Sequence, residues 1–190
     1  MKTDLFWRNH SILQYVQEQM RLNTCGELCS LRFTWQRPKK FASGEDVFLY
    51  ESFASALDGA QVLAGSPLKR LEIEKVAGMN ILFALAYFEN EITAEFELNE
   101  CLPDTMPDTC FLKANFTHGH ITNQPIAGHF NEEGMVLASD DKLDILIAES
   151  DRPVVNSPIE LMKLRCRESG TQEDISELVK QIGETLVCER

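Results

Sequence analysis

Four stretches of this chain alternate apolar and polar side chains with a period of two, and that pattern limits the fold more than anything else in the sequence. Residues 28–36 set Leu31, Phe33 and Trp35 against Ser30, Arg32, Thr34 and Gln36. Residues 68–76 set Leu71 and Ile73 against Arg70, Glu72 and Glu74. Residues 91–100 set Ala94, Phe96 and Leu98 against Thr93, Glu95, Glu97 and Asn99, and in residues 111–117 the inner face is Leu112, Ala114 and Phe116. Successive strand side chains point to opposite faces, so each stretch reads as a strand with one dry side and one wet side. A fifth run, residues 80–88, is apolar at nearly every position and reads as a central strand covered on both faces. Residues 135–138 and 143–148 are further strand candidates.

Helical spacing appears between the strands. Ile12, Leu13, Val16 and Met20 share one face of residues 9–22, and Asn23, Thr24 and Gly26 stop that helix. In residues 47–64 one stripe carries Tyr50, Phe53, Leu57 and Ala60; Gly65 stands where a left-handed cap belongs, and Pro67 follows. Glu89-Asn90 suits a two-residue hairpin turn, with Asn at positive φ. Ser157 with Glu160, and Thr171 with Asp174, open two closing helices over residues 157–168 and 171–186. Strands grouped in the middle of the chain favour an α+β fold: a large, mainly antiparallel open sheet with helices packed on one face. A length of 190 residues suits one domain.

Charge and thiols narrow the partners. The net charge is −12, and the basic groups Arg37, Lys39, Lys40 and Lys69, Arg70 are too short to outweigh it. Nucleic-acid binding draws most of its affinity from phosphate neutralisation, so neither nucleic acid nor an anionic membrane is expected. No apolar run approaches the roughly 20 residues a bilayer needs, and residues 1–7 carry no apolar signal core. Cys25, Cys29, Cys101, Cys110, Cys166 and Cys188 form no C-x-x-C pair, and reduced thiols in a cytoplasmic protein are the expectation.

Candidate sites were weighed against plainer roles. His118 and His120 share a strand face, and with His129 and either Glu132 or Asp140 they could ring a metal; solvent-facing imidazoles around a turn at Gly119 are the simpler account. The acidic run Glu89, Glu91, Glu95, Glu97 and Glu100 could supply acid–base carboxylates, but a wet strand face is where such charge belongs. Residues 121–125 read as a connecting loop. The polar sheet face, with Arg32, Glu72, Glu95 and Glu97, is either solvated or a homo-oligomer surface.

A family resemblance runs through the order of several weak motifs. Gly26-Glu27-Leu28 and Ser30-Leu31-Arg32 follow an amphipathic helix; Leu57-Asp58 precedes Leu63-x-Gly65; Phe88-Glu89-Asn90 precedes Thr93-Ala94-Glu95-Phe96; Gly134 precedes Met135-Val136-Leu137. Over residues 8–150 this resembles the Gfo/Idh/MocA family, relatives of glucose–fructose oxidoreductase and inositol dehydrogenase. The resemblance implies the family's C-terminal domain, which shapes the substrate pocket and often makes the oligomer, without its NAD(P)-binding Rossmann domain. The ten glycines never fall two apart, so G-x-G-x-x-G is absent, and Arg37-Pro38 and Ser66-Pro67 do not match the family's Glu-Lys-Pro. No cofactor is expected on this chain. The family's helix places an Asp and a His four apart, on one face; those positions, counted back from Asp58, hold Glu51 and Ser55. Glu51 could act as a base, but a serine does not replace an imidazole near neutral pH. The resemblance therefore implies a non-catalytic domain serving in oligomerisation or in binding a sugar-like or small polar ligand. Its alternative is the substrate half of a split oxidoreductase whose cofactor domain is a separate chain.

Overall fold

The structure is a computed structural model that describes residues 6–39, 47–124, 134–139 and 142–147; for Val47, Phe48 and the last two segments it describes the backbone alone. A short helix α1 (Phe6–Asn9) and helix α2 (Ser11–Arg21) lead into β1 (Leu28–Pro38). Helix α3 (Val47–Ala64) follows, then β2 (Leu68–Lys75), β3 (Ile81–Phe88), β4 (Thr93–Leu102), β5 (Thr109–Phe116), β6 (Gly119–Thr122), β7 (Gly134–Ser139) and β8 (Lys142–Ile147). They form one eight-stranded sheet in the order β2-β3-β4-β1-β5-β6-β7-β8. Each neighbouring pair is antiparallel except β1 with β4, which run parallel at the centre. The α+β fold expected from the strand grouping is the one found.

The alternation positions the core. Leu31, Phe33 and Trp35 of β1, Ala94, Phe96 and Leu98 of β4, and Leu112 and Ala114 of β5 are all buried on the helix side. Phe33 stacks on Phe96 at 5.5 Å between ring centroids and meets the Trp7 ring edge-on at 4.8 Å. Burying a side chain of this size stabilises by about 1.5–3 kcal/mol. A helix lying on a sheet usually hides one stripe, as the sequence suggested for α3. Here residues 52–60 are buried all round, because α1 and α2 cover the outer side of α3 while the sheet covers the inner side. Gly59 makes that contact possible: a Cβ there would stand 2.9 Å from Trp7 Cβ and 3.1 Å from Leu13 Cδ1.

Several local expectations are corrected. Residue His10 is the N-cap of α2, its Nδ1 accepting from Ile12 N–H, so the helix expected over residues 9–22 starts at Ser11, and a separate short helix, α1, precedes it. At the β3–β4 turn the positive φ of 67° belongs to Glu91, while Asn90 donates its side-chain amide to Ala64 C=O at 2.9 Å and so caps α3. Gly65 does take the left-handed cap, with φ of 61°. Residues 119–122 are a strand, not a loop, and Ile121 and Thr122 are buried. Among the described residues one face of β3 is covered: Leu82, Ala84, Ala86 and Phe88 are buried, whereas Phe83 on the other face is 44% exposed. The closing helices suggested for residues 157–168 and 171–186 lie outside the described residues.

Candidate functional site

The resemblance pointed to one face of α3, and α1 lands on it. The backbone N–H of Trp7 donates to Ser55 Oγ at 3.4 Å, in a buried setting. One turn on, Asp58 receives Arg8 through two bonds, Nε to Oδ2 at 2.7 Å and Nη2 to Oδ1 at 2.6 Å. The Asp58 side chain is 4% exposed and that of Arg8 37%. A fork-shaped guanidinium on a carboxylate is the strong, oriented form of an ion pair. Ser55 and Asp58 are therefore engaged in holding α1 to α3. Glu51 is half-buried, and burial pushes its carboxyl above the ordinary range. That is suitable for proton transfer, but the residue one turn away is a serine already accepting a backbone hydrogen bond.

A second polar centre had no signal in the sequence beyond a basic cluster. Arg37 is buried rather than surface-lying. Its Nη1 donates to Glu100 Oε1 and its Nε to Asp108 Oδ2, each at 3.2 Å, with side-chain exposures of 3%, 2% and 11% for Arg37, Glu100 and Asp108. Trp35 Nε1–H donates to Asp108 Oδ1 at 3.1 Å, and Asn80 Nδ2 to Glu100 Oε2 at 3.4 Å. The alternation could have flagged it: Arg37 and Glu100 fall on the apolar side of their strands.

The histidines are not gathered. His118 sits in the β5–β6 turn, its N–H bonded to Cys25 C=O at 3.0 Å, and His120 is in β6 opposite Asn115. His129, Glu132 and Asp140 lie outside the described residues. Among the described residues no three His, Cys, Asp or Glu side chains are grouped to hold a metal ion. Cys25, Cys29, Cys101 and Cys110 are free thiols.

The open sheet face carries the remaining features. Arg32 pairs with Glu95 across β1 and β4, and Gln36 Nε2 donates to Glu97 at 3.0 Å. Beside them runs the β3 row of Ile81, Phe83, Leu85 and Tyr87, with Arg70, Glu72 and Glu74 of β2 on its far side. At the margin is a groove of about 540 Å³ lined by Lys69, Arg70, Tyr87, Glu91, Ile92 and Thr93, where the Arg70 guanidinium lies 4.0 Å from the centre of the Tyr87 ring.

Among the described residues no glycine turn opens onto a helix N-terminus. Pyrophosphate binding needs a glycine turn opening onto a helix N-terminus. Gly26 is packed against its own chain, with a Cβ position 2.2 Å from Thr117 Oγ1; Gly65 ends α3 and Gly78 joins β2 to β3.

The sequence matches no protein-family model and no curated protein. Solved structures do share its fold. A protein assigned as an oxidoreductase from Thermotoga maritima superposes with a TM-score of 0.65 at 13% identity, over 95% of this chain and 58% of that one. For UDP-N-acetylglucosamine 3-dehydrogenase GnnA from Acidithiobacillus ferrooxidans the score is 0.60 at 15% identity, over 77% and 46%. The transcriptional regulator Gal80p from Kluyveromyces lactis gives 0.56 at 13%, over 80% and 48%. The chain has the fold of the Gfo/Idh/MocA C-terminal domain. It spans about half the length of these proteins. Identities this low establish the fold and leave activity to the residues themselves.

Proposed function

We propose that this chain is a non-catalytic domain of the oxidoreductase C-terminal fold that acts by self-association through its open sheet face. One observation carries the reading: β3 is apolar on both faces, yet among the described residues only one is covered and Phe83 on the other is exposed. A second copy supplies the missing cover. Glu72 and Glu74 of β2 and Glu95 and Glu97 of β4 flank the Phe83 row, with Arg70 on Glu72 and Arg32 on Glu95, so polar and charged groups rim an apolar strip. The groove beside Tyr87 suits a small polar or sugar-like ligand, an aromatic floor with charged and hydroxyl groups around it. Free thiols and an acidic surface fit a cytoplasmic setting.

Light scattering behind size exclusion tests the assembly. The wild-type chain is expected to run as a homodimer, and Phe83→Glu as a folded monomer. A wild-type monomer at tens of micromolar would remove the basis of the reading. The fold shared with GnnA, together with the raised carboxyl of Glu51, favours a second reading: the substrate half of an oxidoreductase whose cofactor domain is a separate chain. Calorimetric titration with NAD(H) and NADP(H) tests both readings at once, since tight binding to this chain alone contradicts each.

A further inference from the structure

We propose that the Arg37–Glu100–Asp108 cluster is a proton-binding latch, in which one guanidinium holds two buried carboxylates and uptake of a single proton tightens the 103–108 loop on the sheet. Arg37 extends from the end of β1, Glu100 from the end of β4, and Asp108 from the last position before β5. The loop between Leu102 and Thr109 is exposed over residues 103–107 and is anchored at its far end by Asp108. With both carboxylates ionised the three groups sum to one negative charge, held almost out of water.

Uncompensated buried charge is costly and is relieved by protonation. Burial is the largest influence on both carboxyls and pushes both above their ordinary values; Arg37 opposes it, and the charge of Asp108 pushes Glu100 further up. The two titrate as a coupled pair. Glu100 is the better acceptor of the proton, because its bonds to Arg37 and Asn80, at 3.2 and 3.4 Å, are matched on Asp108 by an indole N–H at 3.1 Å. Other titratable groups near the pair stand aside. The Cys110 thiol is pushed well above its usual range by burial and then by Asp108, so it stays protonated. Lys39 and Asp104 are exposed, and His10 touches Phe6, which stacks on Trp35.

The sign follows from linkage. A carboxyl raised in the folded state binds its proton more tightly there than when unfolded, so its contribution is present at low pH and lost as pH rises through the folded value. Acidification through the folded-state value therefore tightens this corner, opposite to the usual acid response.

The Trp35 indole reports on Asp108 directly. In chain labelled with ¹⁵N-indole, with Trp7→Phe to assign the resonances, the Trp35 signal is expected to move with a midpoint above the roughly 4 usual for a carboxylate. Glu100→Gln is expected to abolish that movement, while Glu95→Gln on the open face leaves it. A Trp35 signal that stays still in the wild type, or moves equally in Glu100→Gln, overturns the proposal. Hydrogen exchange of the unsubstituted chain stands apart from any folding defect of the variants. The Met106 amide, bonded to Pro103 C=O at 2.9 Å, is expected to be better protected below the Trp35 midpoint than above it, after correction for intrinsic rates. Equal or lower protection below that midpoint also overturns it.

Discussion

Cutting the Arg8–Asp58 pair tests whether the helix that lands on α3 is held there by charge. Arg8→Ala leaves a carboxylate 4% exposed with its two strongest bonds gone. Removing one partner of a fully buried pair costs about 3–5 kcal/mol, because the remaining charge stays buried. Arg8 is 37% exposed, so water reaches the site once the side chain is truncated, and we lower the figure to about 2–3 kcal/mol. The comparison is Arg32–Glu95, exposed by 59% and 53%, where an ordinary surface pair contributes less than about 1 kcal/mol. Urea unfolding of Arg8→Ala, Asp58→Ala and the double variant forms a cycle. The coupling energy is expected near 2 kcal/mol at the first pair and within about 0.5 kcal/mol of zero at the second. A coupling below about 0.5 kcal/mol at Arg8–Asp58 would show that α1 is held by its aromatic rings alone.

Other expectations separate causes that are easily confused. Gly26→Ala meets both a φ of 79° and Thr117 Oγ1 at 2.2 Å, whereas Gly65→Ala meets a φ of 61° and open space. The first should lose about 3 kcal/mol and the second about 1–2 kcal/mol, read from melting curves; equal losses would mean that the Thr117 contact relaxes freely. Asn90→Ala removes the bond to Ala64 C=O and should cost about 1 kcal/mol; no change in the urea midpoint would mean that water caps α3 as well. Native maleimide labelling followed by peptide mass spectrometry should modify exposed Cys29 ahead of half-buried Cys110, whose thiol is pushed up by burial and by Asp108; equal rates would contradict that protection.

Period-two alternation carried most of the sheet because it records which side chain meets the helices. Leu31, Phe33, Trp35, Phe96 and Leu98 all lie where that period puts them. The same signal misled at β3, since it reports that a face is apolar and not which molecule covers it. It was silent at β6, where four residues are too few for a period and Gly119 suggested a turn. At α3, the three Ala and one Gly among residues 54–60 were consistent with a plain helix, yet their smallness is what admits α1. Of the candidate site, the positions Glu51, Ser55 and Asp58 were legible and their engagement with Trp7 and Arg8 was not. Those contacts span 48 and 50 residues, beyond anything local spacing encodes. Arg37 and Glu100 did stand at apolar positions of their alternation, but their meeting with each other and with Asp108 spans 63 and 71 residues.

Whether a ligand could use the α3 face depends on the cost of moving α1 away. Trp7 is fully buried and touches Phe33, and Arg8 closes on Asp58. Exposing the indole costs about 2–3 kcal/mol and parting the ion pair about 2–3 kcal/mol more. A gap of roughly 5 kcal/mol leaves the opened form below about one molecule in a thousand, and a ligand's apparent affinity falls by that fraction. The open sheet face carries no such cost: Phe83 is already exposed, its row is half-buried, and Arg32 and Glu95 already hold each other in place. The self-association proposed for that face therefore starts without the conformational cost that use of the α3 face would carry.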